Sequence, residues 1–301
     1  MRIGYIGLGQ AGWPMSEKLI AAGHELVVHD ADAERERRYV AEHACAGAGT
    51  IAGLAGVEAV ICMLPNGDIV REVLLGIDGG LCGHLDPGTI VIDTSSADPF
   101  GTRVLGAALA ERGIVLIDAP VTRPRPGNDE LTIMVGGDEA AAVERAMPLL
   151  EAMAARVFRV GGLGCGHATK TLNNFVAVAG LIAALDALMI GHRFGLDPAT
   201  TLEVFNVGTA HNFSTESVLG QESLTRRYRS GFQLALMAKD LGICAHLTEE
   251  TGFETSLPAY LRDTLRRALA DMDDEHADHA AALIHWEKRA GAQLPGASEA
   301  L

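Results

Sequence analysis

The stretch RIGYIGLGQAG, residues 2–12, decides the fold of this chain, because an apolar run passes directly into three closely spaced glycines. Gly7 permits a tight turn, Gly9 lets the backbone approach a phosphate, and Gly12 lets a helix pack closely on a strand. The helix that follows offers unpaired N–H groups to phosphates at its N-terminus. The pattern predicts a strand, a pyrophosphate-binding turn and a helix, with these cofactor-binding residues: Gly7, Leu8, Gly9, Gln10, Ala11 and Gly12.

A second predicted strand, residues 25–29, ends at Asp30, roughly 20 residues past the glycines. A carboxylate at this distance is placed to bind a ribose 2′-hydroxyl, so we expect a dinucleotide cofactor. Because a 2′-phosphate would meet Asp30 as a like charge, the sequence favours NAD over NADP. Arg35 and Arg37 are the nearby cations, and we expect them on the solvated face of the next helix. The alternative is a glycine-rich first turn in some other α/β protein.

Composition excludes several classes of partner. The chain has 301 residues, is 48% hydrophobic and carries a net charge of −15, which argues against a nucleic acid or an anionic membrane as partner. Five scattered cysteines without CxxC spacing indicate reduced thiols in a cytoplasmic protein. The most apolar segment, Phe175 to Gly191, contains Asp186 and is short for a membrane span. We expect a buried helix there and a soluble protein.

Apolar runs alternate with helical patterns up to about residue 160. The predicted strands after the first two are 59–63, 89–93, 114–117, 131–135 and 157–160, and the clearest helices between them are 97–112 and 138–152. Strands buried on both faces and separated by helices predict a doubly wound parallel sheet. Ligands bind outside the carboxyl ends of such strands, which points to residues 63–66 and 94–96.

After Gly164 the strand pattern stops and helical patterns follow, at 165–195, 198–208, 232–250, 257–271 and 277–289. The prediction is therefore an α/β chain with an all-α C-terminal domain joined by a long helix. Its domains are a dinucleotide-binding domain at 1–162, a helical substrate and dimerisation domain at 163–290, and a flexible tail at 291–301.

Lys170 lies near the predicted N-terminus of the long helix, four residues before Asn174, so the two side chains share a helix face. Apolar neighbours lower the pKa of a lysine, as a lysine general acid or base requires. The other interpretation is a lysine that extends to solvent from the first turns of a helix. Local sequence does not decide between them.

The chain resembles the β-hydroxyacid dehydrogenases of the 3-hydroxyisobutyrate dehydrogenase type. The matching motifs are GLGQAG at 7–12, MLPNGD at 63–68, DTSS at 93–96, DAPV at 118–121, GHATKTLNN at 166–174 and KDLG at 239–242. The resemblance implies a Rossmann-type domain, a helical C-terminal domain, a site in the cleft between them, and a homodimer or homotetramer.

The resemblance also implies roles for single residues. Lys170 would be the general acid/base and Asn174 would bind the substrate. Lys239 would lie near the nicotinamide and contact both cofactor and substrate. Ser95 and the segment after DAPV would hold an acid group of a small anionic substrate. The remaining predicted cofactor contacts are Leu64, Pro65, Asn66 and Thr94.

The segment after DAPV departs from the family. Where the family has Ser-Gly-Gly, this chain reads TRPRPG at residues 122–127. We predict that Thr122 and Arg123 bind the substrate, since the forked cation of an arginine suits a sulfonate or a second carboxylate. Sulfolactaldehyde reductases of this family carry an arginine at this position. The alternative is that Arg123 points outward from a loop stiffened by proline.

Other functions fit these residues less well. An imine reductase on the same scaffold generally lacks the lysine, and a catalytically silent NAD-binding module would not need Lys170 and Asn174. The cluster from Asp273 to His279 could hold a metal. An acidic helix N-terminus explains it more simply. We therefore predict hydride transfer between NAD(H) and a small 3-hydroxy acid or semialdehyde acid, without a metal.

Overall fold

The computed structural model describes residues 1–76, 79–122 and 130–295. Contacts within the chain divide these residues into two compact units, the first ending at Lys170 and the second beginning at Thr171. This division lies eight residues after the predicted domain boundary at residue 162, because the first turns of the long helix make hydrogen bonds within unit 1. The backbone N–H groups of Gly164 and His167 both donate to the carboxylate of Asp118.

Unit 1 contains a nine-stranded sheet in the order β3-β2-β1-β4-β5-β6-β8-β7, with β9 paired to β8. The strands are β1 (Arg2–Ile6), β2 (Glu25–His29), β3 (Ala46–Gly47), β4 (Ala59–Cys62), β5 (Ile90–Asp93), β6 (Val115–Asp118), β7 (Val121–Thr122), β8 (Thr132–Gly136) and β9 (Arg156–Gly161). From β3 through β6 neighbouring strands are parallel, with Ile3 of β1 opposite both Leu26 and Ala59. The predicted α/β class is confirmed.

Helices cover both faces of this sheet. They are α1 (Gly12–Ala21), α2 (Ala33–Glu42), α3 (Gly67–Leu75), α4 (Pro99–Ala110) and α5 (Ala140–Met153). Because successive strand residues point to opposite faces, Val28 packs in the cluster that includes α1 and α5. Its neighbour Val27 packs in the other cluster, with α3 and α4. The doubly wound arrangement therefore buries both faces.

One part of the sheet differs from the prediction of a wholly parallel sheet. Strand β8 is antiparallel to β6 and to β7, and β9 is parallel to β8. Residues 123–131 separate β7 from β8, fewer than the roughly dozen residues that a parallel crossover needs. Both β3 and β7 are two residues long. Such short strands lack the apolar run on which the sequence prediction relied.

Unit 2 is helical, as predicted, although its first helix starts in unit 1. Its elements are α6 (Cys165–Phe194), α7 (Pro198–Val207), a π-helix (Ser214–Ser223), α8 (Leu234–Thr251), α9 (Leu257–Ala270), a 3₁₀ turn (His279–Ala282) and α10 (Leu283–Ala290). Leu185 of α6, Leu241 of α8 and Leu265 of α9 belong to one buried core. The π-helix was not predicted, and the helix predicted at 277–289 begins as a 3₁₀ turn.

Helix α6 is less buried than we expected from the segment between Phe175 and Gly191. Within the described part of the chain it is the one helix long and apolar enough to cross a membrane, judged by length and composition alone. Only 44% of its most apolar window is buried in the chain. Val176 and Ile190 are exposed by more than half. The expectation of a buried helix is therefore only partly met, because helical spacing places part of the apolar sequence on an outer face.

The first residues of the predicted flexible tail are packed. Leu294 is 2% exposed and belongs to the core of unit 2. Its backbone N–H donates to Glu287, and its carbonyl oxygen accepts a bond from Arg226. The tail is therefore not frayed at this point, and residues 296–301 lie outside the described residues.

Candidate functional site

The glycine turn after β1 has the geometry that a pyrophosphate needs. Gly7 has a φ of +98°, a conformation that favours glycine. A Cβ on Gly12 would overlap the carbonyl oxygen of Gly7, whereas a Cβ on Gly9 would point into open space. No side chain of the described residues caps the N-terminus of α1 at Ala11. The turn therefore fits a dinucleotide phosphate, with close approach at Gly9 and helix N–H groups beside it.

Asp30 lies next to this turn and is buried, with 7% of its surface exposed. Its Oδ2 accepts a 2.8 Å bond from the N–H of Leu8, and its Oδ1 accepts one of the same length from the N–H of Asp32. Arg35 Nη1 lies 3.1 Å from Oδ1. Arg35 thus keeps 40% of its side chain exposed, as expected for a solvated helix face, but its pairing with Asp30 was not predicted. The first turn of α2 directs its guanidinium back to Asp30.

The loops after β4 and β5 are tied together. The N–H of Leu64 donates to Ser95 Oγ at 2.9 Å, and the N–H of Ser95 donates to Asp93 at the same distance. Thr94 Oγ1 donates to the carbonyl oxygen of Cys62 at 2.7 Å, and Asn66 caps α3 through its side-chain oxygen. Ser95 is thus held rigidly. The side chains of Thr94 and Asn66 instead make hydrogen bonds to backbone groups of this region. Pro65, on the same loop, is exposed.

The start of α6 is anchored by a buried cluster that we did not assign to the site. Asp118 bonds the N–H groups of Gly164 and His167, each at 2.8 Å. Burial raises the pKa of Asp118 above 3.8, and the nearby His167 opposes this rise. His167 Nε2 lies 3.7 Å from Asp93, and its Nδ1 lies 2.8 Å from Thr102 Oγ1. The cluster holds the first turn of α6 on the ends of β5 and β6.

Lys170 and Asn174 lie one turn apart on α6, and both are buried. Lys170 is 8% exposed. Asn174 Nδ2 donates a 2.7 Å bond to Oδ2 of Asp240, and the other oxygen of Asp240 lies 3.4 Å from Lys239 Nζ. Asp240 is itself 2% exposed. Helices α6 and α8 thus bring Asn174 and Lys239 to one buried carboxylate within unit 2.

The predicted acid-binding segment is described only at its beginning. Thr122 is the last residue of β7, is half-buried and pairs in register with Thr132. Arg123 lies outside the described residues. Its predicted contact with the substrate therefore stays a prediction.

Three residues beside the candidate site were missed as functional residues: Asp118, His167 and Asp240. Each stands inside a motif that we used for the resemblance, namely DAPV, GHATKTLNN or KDLG. An acidic residue directly after a buried strand, or next to an assigned lysine, was the available signal. It was overlooked because the motifs were used to place their lysines and asparagine.

The histidines near residue 279 have structural partners. His279 is buried and its Nδ1 lies 3.1 Å from the carbonyl oxygen of Phe232. Burial lowers the pKa of His279 below 6.5. His276 is exposed and lies near Glu275. Among the described residues, no group of three or more histidine, cysteine or acidic side chains is placed to hold a metal ion.

The sheet order, the glycine turn and Asp30 together define unit 1 as a Rossmann-type dinucleotide-binding domain. Comparison with known families agrees. Residues 2–162 match the NAD-binding domain of 6-phosphogluconate dehydrogenase, and residues 164–286 match the NAD-binding family of NADP-dependent 3-hydroxyisobutyrate dehydrogenase.

Individual relatives match most of the chain. An NAD-dependent L-serine dehydrogenase of Pseudomonas aeruginosa is 34% identical, over 85% of this chain and 88% of the relative. A 3-sulfolactaldehyde reductase of Escherichia coli is 32% identical, over 89% and 90%. The structure of Mycobacterium tuberculosis 3-hydroxyisobutyrate dehydrogenase with L-serine has a TM-score of 0.82 at 29% identity, covering 94% of this chain and 98% of that one.

The chain belongs to the β-hydroxyacid dehydrogenase family, of the 3-hydroxyisobutyrate dehydrogenase type. It is accordingly an NAD(P)-binding protein of an oxidoreductase family, and the predicted nicotinamide dinucleotide cofactor is confirmed at that level.

Proposed function

We propose that this protein oxidises a small 3-hydroxy acid, or reduces the matching semialdehyde acid, with a nicotinamide dinucleotide. One observation carries the proposal. A buried lysine, Lys170, stands one helical turn before an asparagine whose amide is held by the buried carboxylate of Asp240. A lysine and a fixed amide on one helix face are the groups that a hydroxyl oxygen needs during proton transfer.

Lys170 would move the proton. When bound, the nicotinamide accepts or supplies a hydride. In oxidation the neutral amine of Lys170 takes the proton of the substrate hydroxyl at Nζ, and in reduction the protonated amine returns it to the carbonyl oxygen. Burial of Lys170 supports this role, because it restricts exchange of that proton with bulk water.

Asn174 would orient the reacting oxygen. One of its two N–H groups is used by Asp240, and its Oδ1 accepts a 3.2 Å bond from Asn173 Nδ2. These two bonds define which way the amide is turned. The second N–H is then available to donate to the substrate oxygen and to stabilise the negative charge that develops there.

The acid group of the substrate would be held by Ser95, Thr122 and Arg123. The Oγ of Ser95 already accepts from the N–H of Leu64, which favours donation of its own O–H to an anion. The relatives that act on L-serine or on 3-sulfolactaldehyde both handle a small acid with a hydroxyl or carbonyl near it. Arg123 favours the more strongly acidic or doubly charged members of this class.

The test is steady-state kinetics of the purified protein with NADH and NADPH. The substrate panel contains methylmalonate, succinate and tartronate semialdehydes, sulfolactaldehyde and a cyclic imine, together with L-serine in the oxidative direction. We expect turnover of at least one acid, lost by at least about a hundredfold in Lys170→Met. NADH binding, measured by fluorescence, should persist in that variant.

Two controls make the result specific. Lys288→Met removes a half-exposed lysine on α10 and should leave turnover unchanged. Arg123→Gln should raise KM most for the substrate with the strongest acid group. Turnover of the imine alone would favour an imine reductase, and full activity in Lys170→Met would reject the proposed acid/base. NADH binding without turnover of any substrate would favour the silent module.

We also propose that the protein forms a homodimer through α6, on which a homotetramer could be built. An apolar stripe runs along the outer face of α6: Leu172, Val176, Ala179, Ala183, Ala187, Ile190 and Phe194. Val176 and Ile190 are 68% and 69% exposed, and Phe194 is 84% exposed. Spacings of three and four residues are typical of paired helices.

This stripe is symmetric about Ala183. Stripe residues stand four, seven and eleven positions away on either side. In an antiparallel pair with a two-fold axis at Ala183, Val176 therefore faces Ile190 of the second copy, and Leu172 faces Phe194. Small residues meet near the axis and large ones meet at the ends, as a self-complementary interface requires.

The oligomer test is sedimentation of the wild type and of Ala183→Glu, which would place two like charges at the axis. We expect a dimer or tetramer that dissociates in the variant, while Val207→Glu on α7 has no effect. A monomeric wild type, or its flotation with lipid vesicles, would reject this use of the stripe.

A cytoplasmic location stays a prediction, and the five cysteines are free thiols.

A further inference from the structure

The carboxylate that would bind the ribose already has a cationic partner. Arg35 Nη1 lies 3.1 Å from Oδ1 and 3.3 Å from Oδ2 of Asp30, so one nitrogen spans both oxygens. Arg35 Nη2 also lies 3.5 Å from Asp32. The side chain of Arg35 is 40% exposed, whereas that of Asp30 is 7% exposed. The ion pair thus presents its guanidinium to the solvent side of a buried carboxylate.

An open cavity of about 640 Å³ adjoins this ion pair. It is lined by Asp32, Glu34, Arg35, Arg37 and Arg38. Three arginines against two carboxylates make the lining net positive, although the whole chain is strongly acidic. All five residues belong to α2 or to its N-cap, and β2 ends at His29, directly before Asp30.

The arginines of this cavity differ in their partners. Arg37 donates from Nε to the carbonyl oxygen of Ala33 at 3.2 Å, and Arg38 lies 4.6 Å from the ring centre of Trp13. Arg35 is the one among these three with a bond to Asp30. Asp32 caps α2, and its backbone bonds from Arg35 and Glu34 lower its pKa, so it remains an anion that keeps Arg35 in place.

We propose that Arg35 makes the ribose site accept a 2′-phosphate as well as a 2′-hydroxyl, so that the protein binds NADP(H) in addition to NAD(H). This proposal rests on the dinucleotide-binding function of unit 1, and it follows because Asp30 is not an uncompensated charge. With Arg35 paired to it, Asp30 no longer repels a second anion fully. A planar guanidinium also offers paired N–H donors to phosphate oxygens.

The two functions need not compete for the same atoms. Asp30 keeps its bonds from the N–H groups of Leu8 and Asp32, and its contact with Arg35 Nη1, while Arg35 Nη2 donates to a phosphate. Its position beside the glycine turn therefore does not depend on Arg35. Arg37 and Arg38 line the same cavity and add positive potential. Among these three arginines, Arg35 is the one that contacts Asp30, the carboxylate beside the ribose 2′ position at which the two cofactors differ.

The test is calorimetric binding, which needs no substrate and no turnover. The ligands are NADH, NADPH, 5′-AMP and 2′,5′-ADP, and the variants are Arg35→Gln and Arg37→Gln. We expect the wild type to bind 2′,5′-ADP, with an affinity that falls more steeply with salt than that for 5′-AMP. Arg35→Gln should weaken 2′,5′-ADP about ten- to a hundredfold, the range for loss of a charged hydrogen bond.

The same variant should change the affinity for 5′-AMP much less, and Arg37→Gln should weaken 2′,5′-ADP less than Arg35→Gln does. Arg145→Gln is the matched control, because Arg145 is an exposed arginine of unit 1 that bonds Gly88 and should change neither ligand. The proposal fails if the wild type binds NADPH more than about a thousandfold more weakly than NADH. It also fails if Arg35→Gln weakens both nucleotides equally.

These outcomes are separate from those of the proposed function. A protein that binds both cofactors but turns over no hydroxy acid keeps the role of Arg35 and loses the dehydrogenase proposal. A dehydrogenase that binds NADH alone keeps the dehydrogenase proposal and loses the role of Arg35.

Discussion

Replacing Asn174 by alanine tests the buried hydrogen bond on which the proposed oxygen-binding site depends. The substitution removes the N–H group that lies 2.7 Å from Asp240, and it leaves a carboxylate that is 2% exposed. Within the described residues, no hydrogen bond reaches Oδ1 of Asp240, and Lys239 Nζ lies 3.4 Å from that oxygen. Among the described contacts of its side chain, the loss of Asn174 therefore leaves Asp240 with the ion pair to Lys239.

The expected magnitude follows from the charge and burial of the acceptor. A hydrogen bond to a charged group contributes about 1.5–3 kcal/mol, and burial of both partners favours the upper part of that range. A double-mutant cycle with Asn174→Ala, Asp240→Ala and the double variant isolates this coupling from the other effects of each substitution.

The assay is urea unfolding in a Trp13→Phe background. The chain has two tryptophans, and Trp286 then reports on unit 2 alone. Gln221→Ala is the matched control, because this amide of unit 2 is exposed and its loss should cost less than about 0.5 kcal/mol. A coupling below about 0.5 kcal/mol between Asn174 and Asp240 would refute the reasoning, since the bond would then contribute no more than a surface contact.

Three further substitutions test other parts of the structure. Gly12→Ala should destabilise unit 1 by about 1–3 kcal/mol in urea unfolding and weaken NADH binding, because the new methyl group would overlap the carbonyl oxygen of Gly7; unchanged stability would contradict the close packing. The free energy of unfolding should fall as the pH drops below 6.5, and His279 should contribute up to about 1.4 kcal/mol per pH unit. Burial lowers the pKa of His279 in the folded protein, so the unfolded chain binds a proton that the folded chain does not. His279→Asn should remove that part of the slope in thermal melts at several pH values, and an identical slope would exclude His279 as its source. Trp286→Phe should cost about 1.5–3 kcal/mol by circular dichroism, because it removes a 2.7 Å bond from Nε1 to Asp186; a loss below 0.5 kcal/mol would contradict that bond.

Local chemistry made much of unit 1 predictable. The glycine turn and the apolar runs of β1, β2, β4 and β5 specify their structures through neighbours in sequence. Helix ends were less well predicted: α4 was expected at 97–112 and spans Pro99–Ala110, because Asp98 caps it and Pro99 occupies its first turn. Those two residues could have placed the start correctly from sequence alone.

Partners distant in sequence were not predictable in the same way. Asp240 meets Asn174 across 66 positions, and Gly164 meets Asp118 across 46. The reversed strand β8 depends on pairing with β6 and β7, which no local period reveals. The partner of Arg35 is only five residues away, yet it too was missed. A helical pattern predicts on which face of the helix Arg35 lies. It does not predict that the guanidinium turns back towards the end of the preceding strand.

The sequence by itself determined the α/β order of elements, the phosphate turn, the acid at the end of β2 and the lysine and asparagine on one face of α6. These features depend on φ angles, side-chain spacing and helix periodicity, which act over a few residues. Tertiary structure decided which charges are paired. It placed Arg35 on Asp30, Asp240 on Asn174 and the start of α6 on Asp118. It also left an apolar face of α6 exposed. Charge pairing and exposure depend on what the folded chain brings alongside each group.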